Sequence, residues 1–183
     1  MQKRVILDKK LLAVTINRLC QQMIENHGDF HDSVIIGLQT SGVYLTERIR
    51  EQLQSQGVKT QVGHLDITFY RDDFRRRETT ISANKTQIDF LIEGKNVILI
   101  DDVLFTGRSV RSALDAINAF GRPKTVELLA LIDRKYTREL PIQADYVGLQ
   151  INSMIDQNVL VEWKGIDGAR EDKIWLVSKE VEK

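Results

Sequence analysis

The chain has 183 residues, 42% hydrophobic and 28% charged, with only 2 prolines. That composition excludes disordered and fibrous classes, and the length suits one domain, 1–183, with a real core. Lys plus Arg and Asp plus Glu each number 26, so net charge is zero, which weighs against a protein whose whole surface grips nucleic acid while allowing a local basic patch.

The N-terminal "MQKRVILDKK" lacks the apolar stretch of a signal peptide. No apolar run approaches about 18 residues, so no membrane span is predicted. The next segment, "DKKLLAVTINRLCQQMIENH", places Leu12, Ile16, Leu19, Met23 and Ile24 at helical spacing. Its single cysteine, Cys20, reads as an inert core thiol and fits a reducing, cytoplasmic setting. A buried strand is predicted over Val34 to Leu38, then a turn and a helix from about Val43 to Gln54, with Gly57 as its stop. "TQVGHLDITFY" reads as a β-rich run ending near Tyr70. From Arg71 to Gln87 the chain is polar, with neither helical nor strand periodicity, as in a functional loop.

"NVILID" is a strand and "SVRSALDAINAFG" a helix, with Ser109 as its N-cap and Gly121 at its end. Strands follow in "TVELLALID", "ADYVGLQI", "VLVEW" and "KIWLVS". Asp167-Gly168 marks a turn in a C-terminal hairpin, for which packing is the expected role. Alternating strands and helices predict an α/β fold, a mostly parallel sheet flanked by helices. Ligands in such folds sit at the C-terminal ends of the strands.

Within "VILIDDVLFTGRSV", Asp101 and Asp102 close the predicted strand, and Thr106, Gly107, Arg108 and Ser109 make a turn opening a helix. Helix N-termini attract phosphate through unpaired N–H groups and the positive dipole end. Gly107 permits close backbone approach. Paired carboxylates accept hydrogen bonds from vicinal sugar hydroxyls or hold a hydrated Mg²⁺. An isolated acid pair more often caps a strand. Acids, turn, apolar strand and helix together describe a sugar-phosphate site. No GxxxxGK[ST] loop is present. His27, His31 and His64 show no ligand spacing with Cys20 or one another, so any Mg²⁺ is expected to arrive with substrate.

"VILIDDVLFTGRS" resembles the phosphoribosyl pyrophosphate (PRPP) motif of type I phosphoribosyltransferases. "GLQTSGVYLTERI", "LDITFYRDD", "GRPKTVELLALIDR" and "RELPIQADYVG" are similar to the PyrR family, and the similarity runs nearly to Gly148. The resemblance implies a flexible active-site loop, a small hood, and uracil phosphoribosyltransferase activity making UMP and pyrophosphate. Asp101 and Asp102 would meet the ribose hydroxyls in concert with Mg²⁺, and Phe105 to Ser109 would cradle the 5′-phosphate. Thr40, Ser41 and Gly42 would meet the pyrophosphate. Asp66 and Arg71 would belong to the start of the flexible loop, with Arg71 stabilising the leaving group. Asp133, Arg134 and Val147 would hold the base, partly through backbone groups. Purine enzymes with this motif carry an acid at the position of Phe105, so the aromatic ring argues for uracil. A phosphoribosyltransferase for another base, or a regulator with residual activity, is the alternative.

The resemblance also implies homodimers or higher oligomers and, in many members, attenuation of pyrimidine operons through leader mRNA. Here the chain departs from the RNA-binding pattern at Ser41, Gln143 and Leu149, where basic residues are common. Its first helix carries only Arg18 among its middle positions. Arg122, Lys124, Arg134, Lys135 and Arg138 remain as the expected basic surface, and the residues leave RNA binding open.

Overall fold

A computed structural model of the chain describes residues 2–70, 85–154 and 156–178. In chain order the elements are β1 (Gln2–Leu7), α1 (Lys9–His27), β2 (Ser33–Leu38), α2 (Ser41–Ser55), β3 (Gln61–Leu65), β4 (Asn96–Leu104), α3 (Arg108–Ile117), β5 (Thr125–Lys135), β6 (Tyr146–Asn152), β7 (Gln157–Glu162) and β8 (Lys173–Ser178).

Five strands form a parallel sheet in the order β3-β2-β4-β5-β6. Their apolar runs do not alternate with polar residues because both faces are covered. Ile35, Ile98, Leu129 and Leu131 pack toward Leu12, Leu19, Leu45 and Ile49 of α1 and α2. Their neighbours Val34, Ile36, Val97, Leu99 and Leu128 face Val110, Ala113 and Ile117 of α3. The period of two thus feeds two cores from each strand. Cys20 is fully buried, and burial pushes its thiol up to about 12, the behaviour of an inert side chain.

A second, antiparallel sheet has the order β1-β8-β7. It is the hood. Trp163 and Ile174 carry it into the core shared with α1 and α2. Arg48 of α2 clamps it: Nε and Nη2 donate to the Asp172 carboxylate at 2.6 and 2.7 Å. The same guanidinium lies 4.5 Å from the Trp163 ring centroid. Asp172 also accepts from the Lys164 amide at 2.6 Å.

Several boundaries differ from the sequence reading. The β-rich run toward Tyr70 stops at Leu65, and residues 68–70 form a 3-10 turn. There Asp66 Oδ1 accepts from the Thr68 amide at 2.8 Å, which turns the chain out of the sheet. β4 does not end at the acids but continues to Leu104, because β5 stays paired with it as far as Asp133. α3 begins at Arg108 behind Gly107, so Ser109 lies inside its first turn; Gly107, at φ 93°, makes the left-handed entry that sets this start. β1 was not anticipated.

Candidate active site

Two helix N-termini converge on the upper end of β4. α2 starts at Ser41 with Thr40 as its cap, and α3 starts at Arg108 with Gly107 as its cap. The Thr40 side chain accepts from no helix amide and Gly107 has no side chain to do so, whereas Asp8 caps α1 by accepting from the Leu11 amide at 2.8 Å. Apart from the Arg108 amide, which donates to Thr106 Oγ1 at a long 3.4 Å, the first-turn amides of α2 and α3 therefore keep their capacity for an external anion. β2 pairs with β4 only as far as Ile100, so the segment from Asp101 onward has β5 on one side and the α2 turn on the other. Gly42 makes that approach possible: a Cβ there would lie 2.5 Å from the Ile100 carbonyl oxygen.

The acids sit between two cavities. One, of about 380 Å³, is lined by Asp101, Phe105, Thr106, Gly107, Arg108 and Ser109, among others. The other, of about 600 Å³, lies between Thr40, Ser41 and Tyr44 and the hood. Asp102 joins them. Its carboxylate is hydrogen-bonded by the Ser41 hydroxyl, and its amide donates to Asp101 Oδ1 at 3.0 Å. Burial pushes the Asp102 carboxyl above the usual carboxylate range, against the pull of the Val103 amide and Ser41 hydroxyl.

The predicted phosphate turn is assembled as expected, with one change in its electrostatics. Arg108 Nε donates to Glu139 Oε2 at 2.7 Å, and Glu139 itself borders the cavity. Its charge is thus shared with an acid at the cavity mouth. The backbone holds the turn closed: the Thr106 carbonyl accepts from the amides of Glu139 and Leu140 at 3.0 and 3.2 Å.

Asp133 and Arg134 reach the strand ends but are committed to protein partners. Asp133 is buried, ion-paired with Arg138 and hydrogen-bonded by Gln150 Nε2 at 3.1 Å. Arg134, 3% exposed, donates to Ser153 Oγ at 2.8 Å and to the Met154 carbonyl at 2.9 Å. Its guanidinium stacks on Phe105, 4.0 Å from the ring centroid. Arg138 also donates to the Phe105 carbonyl. Burial pulls the Arg134 pKa down.

Val147 borders neither cavity. It pairs with Ala130, level with Asp101, while Gln150 stands opposite Asp133. Asp66 lies at the end of β3 and borders neither cavity; its Oδ1 is committed to the Thr68 amide and hydroxyl. Arg71 and the rest of residues 71–84, including Arg75-Arg76-Arg77, fall outside the described residues.

The residues fit a Mg²⁺ ion held jointly with substrate. Asp101 and Asp102 offer hard oxygen donors, and among the described residues no group of three or more His, Cys, Asp and Glu gathers into a protein-only metal cage. Mg²⁺ is commonly bound by one or two carboxylates plus substrate phosphates and water.

Sequence reading missed Glu139 and the hood residues Trp163 and Ile166 to Arg170, which line the larger cavity. The Asp167-Gly168 turn was legible, but nothing local linked it to Thr40.

Over residues 4–165 the chain matches the family described as "Phosphoribosyl transferase domain". It is 40% identical over 180 residues to the bifunctional protein pyrR of Enterococcus faecalis, covering 98% of each chain. It is 43% identical over 169 residues to the pyrimidine operon regulatory protein of Lactococcus lactis subsp. lactis, covering 92% of this chain and 94% of that one. Among solved structures it resembles a Trypanosoma cruzi hypoxanthine phosphoribosyl transferase, with TM-score 0.71, 15% identity, and 95% and 91% of the chains covered. A hypoxanthine-guanine phosphoribosyltransferase of Bacillus anthracis gives TM-score 0.66 at 17% identity, covering 87% and 88%. At such identities the structural likeness speaks for the fold alone.

Proposed function

We propose that this chain, which belongs to the PyrR family of phosphoribosyltransferases, is a uracil phosphoribosyltransferase that converts uracil and PRPP to UMP and pyrophosphate. The observation that carries the reading is the pair of cavities, each at a helix N-terminus, with Asp101 in the wall of one and Asp102 hydrogen-bonded to Ser41 in the wall of the other. PRPP is built the same way, with a phosphate at one end, a diphosphate at the other and ribose hydroxyls between.

Asp101 and Asp102 accept hydrogen bonds from the ribose hydroxyls. The Thr106 to Ser109 turn holds the 5′-phosphate through its amides and hydroxyls. Asp101 and Asp102 would hold Mg²⁺ together with the substrate, and the ion would supply positive charge against the diphosphate. The electron pair of the breaking glycosidic bond leaves on the pyrophosphate oxygen, the uracil N1–C1 bond forms, and the N1 proton is released. The Thr40–Ser41 turn, with Arg71, meets the charge growing on the leaving group; such preorganised contacts are commonly worth about 3 kcal/mol each. Phe105, with one ring face on Arg134, offers the base an apolar neighbour and no proton acceptor, which favours a pyrimidine. A steady-state assay with PRPP, Mg²⁺ and each nucleobase, with products identified by mass, tests the reading. UMP from uracil is the expected result; no UMP overturns it.

The names of the relatives favour a second activity, pyrimidine operon regulation through leader RNA. Of the basic residues open to that task, Arg134 and Arg138 are turned inward, and Arg18 donates to the carbonyls of Val147 and Gly148 at 3.1 and 2.6 Å. Arg122, Lys124 and Lys135 remain exposed and would carry the phosphate contacts. UMP-enhanced binding of pyrimidine leader RNA in a gel shift is expected; its absence leaves the enzyme alone. The buried Cys20 supports work in a reducing cytoplasm. Leu11 and Val14, 53% and 61% exposed on α1, support self-association into dimers or larger assemblies.

A further inference from the structure

The larger cavity has a second wall that the PRPP motif does not include. Opposite the Thr40–Ser41 turn stand Trp163, Ile166, Asp167, Gly168, Ala169 and Arg170 of the β7–β8 connection. Arg170 is exposed and, among the described residues, makes no hydrogen bond or ion pair. Trp163 is 2% exposed, and its indole N–H, beneath the same wall, has no acceptor. A buried donor without a partner costs free energy, which a ligand oxygen recovers. The uncapped start of α2 faces the cavity from the other side. The volume of about 600 Å³ exceeds what the turn alone would need for one phosphate.

From these features we infer that the hood is half of the leaving-group site: Arg170 binds the diphosphate end of PRPP directly, and the Trp163 N–H backs it. The inference rests on the phosphoribosyltransferase reading and extends it from the motif to the C-terminal hairpin. Charge supports it. The cavity is also lined by Glu162 and Asp167. Glu162 is occupied by the Trp175 Nε1 donor at 2.8 Å. Asp167, held at φ 48° in the turn, is placed on the rim as a carboxylate suited to the divalent cation a diphosphate carries. A cavity with a cation, a helix N-terminus and a rim carboxylate suits a metal-bound diphosphate better than a bare anion or a neutral base. The Arg48–Asp172 clamp and the Arg48–Trp163 stack join this wall to α2.

The test measures binding of inorganic pyrophosphate with Mg²⁺ by calorimetry in the wild-type chain, Arg170→Ala, Arg170→Lys and Trp163→Phe. Ribose 5-phosphate, which lacks the diphosphate, is the control ligand. Arg170→Ala is expected to weaken pyrophosphate about 10-fold or more, as loss of a charge-assisted contact does, and to leave ribose 5-phosphate unchanged. Arg170→Lys should recover part of the loss. Trp163→Phe keeps the ring under Arg48 and should weaken pyrophosphate to a smaller degree. Unchanged pyrophosphate affinity in Arg170→Ala, or equal loss of both ligands, overturns the inference. UMP formation by the wild-type chain, measured separately, judges the underlying function. An Arg170-dependent pyrophosphate site without UMP synthesis would keep the inference and refute uracil as substrate.

Discussion

Asp102 is the residue where function works against stability. Its carboxylate is half-buried beside Asp101, and burial opposes the charge that the proposed ribose contact needs. Asp102→Asn keeps the size and removes the charge. Turnover is expected to fall about 100-fold or more, the scale of losing one preorganised contact. The thermal midpoint is expected to stay level or rise, because the neutral amide escapes the cost of burial. Steady-state kinetics and calorimetric melting read the two effects separately; unchanged turnover refutes the ribose role. Asp102 stood out in sequence because the acid pair comes together with an apolar strand, a TGRS turn and a helix start, where the pair alone would read as a strand cap. Arg134 and Asp133 were legible only as chemistry. Their mutual commitments to Ser153, Met154, Arg138 and Gln150 depend on how β5 and β6 lie side by side, and no local pattern records that.

At the scale of elements, the clamp between α2 and the hood is the contact most open to pH. Burial alone would raise the Asp172 carboxyl, but the bonds from Arg48 and the Lys164 amide outweigh it and hold it below the usual range. A depressed carboxylate stabilises the fold above its unfolded value, about pH 4. That stability is lost as pH falls through the lower folded value. Asp172→Asn is therefore expected to melt earlier than the wild-type chain at pH 7 and to lose less stability between pH 5 and about pH 3. Parallel melting curves for the two proteins across that range would refute the role of the clamp. The same scale shows where sequence reading stopped short. β4 was read as ending at its acids because charge interrupts the apolar run, yet pairing with β5 carries it to Leu104. Val147 was assigned to the base site by resemblance; strand register sets it level with Asp101, and Gln150 level with Asp133. β1 went unseen because its only ladder partner, β8, lies at the far end of the chain.

For the whole molecule, the parallel sheet and the hood differ in how they are held. The parallel sheet is covered on both faces, with Ile35, Ile36, Ile98 and Leu99 fully buried. The hood has three strands, and β1 is mostly exposed. Local opening is expected to reach the hood first. Native-state hydrogen exchange should show amides of β1, β7 and β8 exchanging at lower opening free energy than those of β2, β4 and β5. Equal protection throughout would show a single cooperative unit. The α/β architecture itself was readable, since buried runs alternate with amphipathic segments. The two-sheet division was not, because it joins the two ends of the chain.

The pairing of Gln2 with Ser178 also has a consequence in time. During synthesis the parallel sheet is complete once β6 has emerged, with Asp101, Asp102 and the Thr106 to Ser109 turn already in place. β1, made first, then waits for β8, made last. A growing chain would assemble the Asp101–Asp102 pair and the Thr106 to Ser109 turn before β7 and β8 can wall the larger cavity beside Thr40 and Ser41.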